Sequence, residues 1–131
     1  MKSLNIKQLD EKDEEFAEAL INLGMNRNVA RTLAYLRNVN ETTAIELEKG
    51  ARLHQPEVSV AMKELKERDW IIEWEQKKTQ GKGRPFKIYS LKVGADKIIA
   101  DFEKKRNKDA EITLSRIKRL KQLKHSKPVS S

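Results

Sequence analysis

Apolar residues recur at helical spacing in the first half of this chain, turn into strand-like runs past the middle, and return to helical spacing at the end. Phe16, Leu20 and Leu23 stand at i, i+4 and i+7, which predicts a first helix over residues 13–23, ended by Gly24. Asn26 is a good N-cap for a second helix, on which Val29, Leu33 and Leu36 form one stripe with Ala30 and Ala34 beside it. Residues 38–41 are polar and read as a loop. A short third helix starts at Thr42 or Thr43, and Thr43, with Glu46 three residues on, has the form of a capping box. Ile45, Leu47 and Ala51 are expected to supply its buried contacts, and Gly50 marks its end. Pro56 then announces a fourth helix from its first turn, running to about residue 68 with Val58, Ala61, Met62 and Leu65 inward.

Residues 70–75 (WIIEWE) and 86–91 (FKIYSL) are rich in strand formers and flank a polar segment containing Gly81 and Gly83, so they predict a hairpin. From Ala95 the composition is helical to about residue 124. Ile98, Ile99 and Phe102 open that helix, Ile112, Leu114, Ile117, Leu120 and Leu123 close it, and a polar stretch over 103–109 breaks the seam. The predicted class is therefore mostly α with a small β-hairpin wing, a winged helix-turn-helix with a C-terminal helix. Its divisions are an N-terminal arm (1–12), the winged domain (13–92), a dimerisation helix (93–125) and a disordered tail (126–131).

Charge adds a partner to this outline. The net charge of +8 is unevenly distributed: residues 1–23 are acidic, whereas 76–92 and 116–131 each carry six basic residues and no acid. Localised positive charge of this kind suits a polyanion, although a merely solvated basic surface looks the same. The chain has no cysteine and only His54 and His125 as histidines, far apart, so neither a thiolate nor a metal site is expected. There is no nucleotide-binding loop and no converging acid–base group, so no enzyme and no cofactor is expected. No apolar run approaches the ~18 residues of a membrane span, and the acidic start lacks the features of a signal peptide. The expectation is a soluble, cytoplasmic protein without a membrane partner.

On a helical wheel, the fourth helix turns Gln55, Ser59, Lys63 and Lys66 away from its apolar side. Gln55 and Ser59 can hydrogen-bond base edges in a major groove, Lys63 and Lys66 suit phosphates, and Arg52 stands in the turn just before. The hairpin adds Lys77, Lys78, Lys82, Arg84 and Lys87. Its tip, Gly81-Lys82-Gly83-Arg84-Pro85, is similar to the core of an AT-hook with lysine in place of the first arginine. An arginine there could enter a narrow, A·T-rich minor groove, or the glycines could simply close the turn.

With these residues in view, the stretch from 23 to 91 resembles the archaeal winged helix-turn-helix regulators related to the ArsR, MarR and TrmB groups. The resemblance rests on residues 27–36 (RNVARTLAYL), on Gln55-Pro56-Glu57-Val58-Ser59, and on Gly83-Arg84-Pro85 with Tyr89 and Leu91. It implies a dimeric regulator of transcription that binds double-stranded DNA, with the recognition helix beginning near Gln55. Metal response is not implied, because the metal-binding clusters of ArsR proteins are missing. The C-terminal helix fits a homodimer, with Ile98, Phe102, Ile112, Ile117 and Leu120 as candidate contacts. The alternative is a helix folded back on its own domain. An RNA-binding winged helix, which would need exposed aromatics for stacking, and a protein-interaction module are the rival readings.

Overall fold

The computed structural model describes residues 7–77 and 85–124. Helices α1 (Glu11–Asn22), α2 (Arg27–Leu36), α3 (Ala44–Gly50) and α4 (Gln55–Glu67) lead into strands β1 (Ile71–Gln76) and β2 (Phe86–Leu91), and α5 (Ala95–Leu123) follows. The chain divides into two units, Met1–Gly94 and Ala95–Ser131.

In the first unit, α1 starts earlier than its apolar spacing predicts, because Asp10 caps it. The Asp10 carboxylate accepts the Asp13 N–H at 2.9 Å, and the Asp13 carboxylate accepts the Asp10 N–H at 3.0 Å. The buried seam is Asp13, Ala17 and Leu20. Phe16 is half-buried beneath the Arg37 guanidinium, 4.2 Å from the ring centre. Leu23, expected inward, lies past the last turn and is 58% exposed. Gly24 ends the helix in a left-handed conformation (φ 102°), and its N–H returns to the Ile21 carbonyl.

Asn26 caps α2 as expected, its side-chain oxygen accepting the N–H groups of Asn28 and Val29 at 2.8 and 3.3 Å. Instead of one stripe, every residue from Val29 to Leu36 is buried, because α2 packs against α1, α3 and α4. The Thr43–Glu46 capping box forms at the start of α3. Leu47 and Ala51 are buried, but Ile45 is 63% exposed, contrary to expectation. Two residues on a helix are about 200° apart, so Ile45 and Leu47 cannot share one face. Gly50 does more than end α3: a Cβ there would overlap the Tyr35 ring, 2.9 Å from its Cδ1 and closer still to its Cε1, and would also meet the Lys7 carbonyl oxygen.

The Glu57 carboxylate reaches back to the His54 N–H at 2.8 Å, and Pro56 occupies the first turn of α4. Val58, Ala61, Met62 and Leu65 are all buried. Asp69 adopts a left-handed conformation (φ 62°) and turns the chain, and the N–H of Trp70 bonds the Leu65 carbonyl at 3.1 Å. The hairpin pairs Ile71 with Leu91 through to Gln76 with Phe86. Beyond the predicted hairpin, Thr42 makes an antiparallel bridge to Tyr89, with N–H···O distances of 2.9 and 2.8 Å. The segment before α3 is thereby fastened to β2. Among the described residues, no buried side-chain polar atom lacks a partner.

Among its described residues, the second unit is a single helix of 29 residues, about 44 Å long at 1.5 Å per residue. It continues through the polar stretch 103–109, so only the apolar seam is interrupted. Ile98 and Phe102 are its buried residues. Ile99, Ile112, Leu114, Ile117, Leu120 and Leu123 are exposed. No helix among the described residues is long and apolar enough to cross a membrane.

Candidate nucleic-acid interface

The side of α4 that is not buried carries Gln55, Pro56, Ser59, Val60, Lys63, Lys66 and Glu67, all exposed. The helical wheel singles out four of these and passes over Val60, whose apolar character suggests core. At 65% exposure it faces outward, since it stands two residues, about 200°, from both buried Val58 and buried Met62.

The turn leading into α4 is held by a clamp reaching back to α1. Arg31, buried on α2, donates its Nε–H to the Ala51 carbonyl at 3.0 Å, and its guanidinium pairs with Glu14. Arg52 pairs with the same carboxylate and with Gln8 at 3.3 Å. It adopts a left-handed φ of 55°. Hydrogen bonding from Arg31 is the main reason that the Glu14 carboxyl is held below its ordinary pKa, against the opposing pull of burial. Arg52, a candidate DNA contact in the turn before α4, is thus half-exposed and already engaged by an acid that sequence spacing gives no reason to pair with it.

Between α4 and the hairpin runs a groove of about 410 Å³, whose lining includes Ser59, Lys63, Lys66, Glu73, Lys87 and Tyr89. It brings together two lysines of a helix and one of a strand. Glu73 of β1 sits among them, its Oε2 3.2 Å from Lys66 Nζ and 3.6 Å from Lys87 Nζ. Glu73 faces Tyr89 across the hairpin register. Burial raises the Tyr89 hydroxyl pKa, Glu73 raises it further, and Lys66 opposes the shift.

Lys77 and Lys87 are exposed on the hairpin. The remaining basic residues of the wing tip, Lys78, Lys82 and Arg84, lie outside the described residues. Of the four aromatics of this region, Trp70 and Tyr89 are buried, Phe86 is intermediate and Trp74 is 36% exposed. Among the candidate dimer contacts, Ile112, Ile117 and Leu120 are exposed, whereas Ile98 and Phe102 are buried in the single chain.

Solved structures share this fold. A possible transcriptional regulator from Methanosarcina mazei matches with a TM-score of 0.60 at 18% identity, over 78% of this chain and 86% of that one. The transcriptional regulator PA4135 matches with a TM-score of 0.52 at 19% identity, over 90% of this chain and 91% of that one. A mutant of MepR from a multidrug-resistant S. aureus clinical isolate matches with a TM-score of 0.50 at 19% identity, over 86% and 82%. The fold is a winged helix-turn-helix. No family model and no curated protein matches the sequence. Within the winged helix-turn-helix, α3 and α4 form the helix-turn-helix, β1 and β2 form the wing, and the groove lies between α4 and the wing.

Proposed function

We propose that this protein is a double-stranded DNA-binding regulator of transcription, with no catalytic role. The observation that carries the reading is the groove in which Ser59, Lys63 and Lys66 of α4 meet Lys87 of the wing. A helix fits the major groove, and a basic hairpin beside it suits the backbone and the adjacent minor groove. In this reading, Gln55 and Ser59 contact base edges, while Lys63 and Lys66 hold phosphates. Lys77, Lys78, Lys82, Arg84 and Lys87 follow the backbone, with Arg84 favouring A·T-rich sequence in the minor groove. Arg52 adds a phosphate contact at the start of the helix. The solved regulators with this fold support the assignment.

The protein acts as a cytoplasmic homodimer joined through α5, with Ile112, Ile117 and Leu120 as exposed apolar contacts. Two recognition helices would then meet half-sites one helical turn, about 34 Å, apart. An RNA-binding role has less support, because Trp74 is the one exposed aromatic among the described residues of the hairpin. The test is a fluorescence-anisotropy titration of mixed-sequence duplex DNA, with single-stranded RNA alongside, at several salt concentrations. Tight duplex binding with a steep negative salt slope supports the reading. Absence of duplex binding at low salt overturns it.

A further inference from the structure

Two carboxylates, Glu67 and Glu73, line the groove with Lys63, Lys66 and Lys87, and Glu73 is the one whose oxygen faces both Lys66 and Lys87. Its side chain is only 22% exposed, whereas those of Lys66 and Lys87 are 48% and 53% exposed. The carboxylate is therefore anchored in the groove wall, and the two ammonium groups reach to it on flexible stems. One oxygen, Oε2, faces both of them. That geometry is the one a phosphate oxygen would present to the same two lysines.

The location strengthens the comparison. In the DNA-binding reading, on which this inference rests, α4 lies in the major groove and the wing meets the backbone toward the adjacent minor groove. The sugar–phosphate strand separating those grooves must then pass between the two elements. The space available is the groove lined by Ser59, Lys63, Lys66, Glu73 and Lys87. We propose that this groove is the seat of a backbone phosphate, and that Glu73 is an internal counter-anion filling the seat in the free protein until the phosphate exchanges with it.

This exchange makes a prediction that simple charge repulsion does not. Lysines already neutralised by Glu73 carry fewer solution anions to release, and the displaced carboxylate must recruit a cation. Binding by the natural protein should therefore depend less on salt than its lysine count suggests. The experiment is a salt series of duplex titrations on the full chain, comparing the natural protein with E73Q and with E75Q. E75Q removes the same charge from an exposed position two residues along the strand, outside the groove lining. The same E73Q change is also made in a K66M/K87M background, and thermal melting of every variant checks folding.

E73Q should tighten duplex binding about two- to fivefold, the scale of a partly exposed ion pair. It should also steepen the salt slope by up to about 1, because no displaced carboxylate is left to take up a cation when the phosphate is seated. E75Q should do markedly less, and in the K66M/K87M background E73Q should change neither affinity nor slope. Equal tightening in both backgrounds overturns the exchange in favour of simple repulsion, and so does an unchanged slope. If the natural protein binds duplex but E73Q behaves identically, only this inference fails. If neither binds, the DNA-binding reading fails and takes the inference with it.

Discussion

Helices α2 and α4 carry similar numbers of apolar residues but are used in opposite ways. On α2, eight consecutive residues are buried, including the polar Arg31 and Thr32. On α4, only four of 13 are buried, and the remaining face is open. The polar residues of α2 tolerate burial because each has a partner: Thr32 donates to the Asn28 carbonyl at 2.7 Å, and Arg31 donates to the Ala51 carbonyl. A helix enclosed on all sides holds the domain together and has no surface left for a ligand. A helix buried on one side contributes less to the core, and its open face can vary with little cost to folding. The two helices should accordingly answer mutation differently.

The largest effects belong around α2. Leu33→Ala should cost about 2–5 kcal/mol of stability, since its side chain is fully enclosed. Gly50→Ala is the sharper test because two arguments give opposite signs. Helix propensity alone favours alanine by about 1 kcal/mol, whereas overlap of the added Cβ with the Tyr35 ring and the Lys7 carbonyl predicts a loss of several kcal/mol. Urea melts read the sign directly, and a gain in stability would remove the close packing of Gly50 on Tyr35 from the account.

Acid should come next, acting where α1 meets α2. Burial pushes the Asp13 carboxyl up. Hydrogen bonds from Asp10 and Asn38, with the charges of Lys7 and Arg37, outweigh that and leave its pKa below the ordinary value. Glu14 is lowered as well. A carboxyl lowered in the folded state contributes stability that is fully present above its unfolded value, near 4. That stability is lost as pH falls through the lower folded value. Melting temperature should hold steady down to about pH 5 and then decline on these groups' account. Asp13→Asn should be less stable at neutral pH and lose part of its acid sensitivity, and an identical acid limb in both proteins would assign the titration elsewhere.

How much of this was legible in the sequence depended on how local the cause was. The Asn26 and Thr43 caps, the left-handed Gly24 and the inward face of α4 follow from residues within a few positions of one another on one element. The clamp of Glu14, Arg31 and Arg52, the bridge from Thr42 to Tyr89, and the meeting of Glu73 with Lys66 and Lys87 span 7 to 47 positions and join different elements. Periodicity within one element has no purchase on such pairings. Charge patterning identifies a basic wing, but net charge cannot say which acid will sit among the lysines. Gly50 was legible as a helix end and illegible as a packing site, because the ring it accommodates comes from another helix.

On the open face of α4 the effects should be smaller and of another kind. Gln55→Ala and Ser59→Ala should leave the melting temperature almost unchanged, since both side chains are exposed. In the proposed role, each should change discrimination between duplex sequences by about 1–3 kcal/mol for every base-edge hydrogen bond removed. Titrations against a set of single-base variants of a preferred site would measure this. Uniform weakening across the set would reassign these residues to the backbone.

The smallest expected effect tests the same division on α3, where one short helix contains both kinds of residue. Leu47 is completely buried and Ile45 is 63% exposed, although they differ by only two positions and one methyl placement. Leu47→Ala should cost about 2–5 kcal/mol. Ile45→Ala should fall within about 0.5 kcal/mol of neutral, because the methyl groups removed already face water. Alanine's higher helix propensity offsets even part of that. A large loss at Ile45 would mean that its side chain is covered in solution, and hence that a surface of α3 is occupied by something other than this single chain.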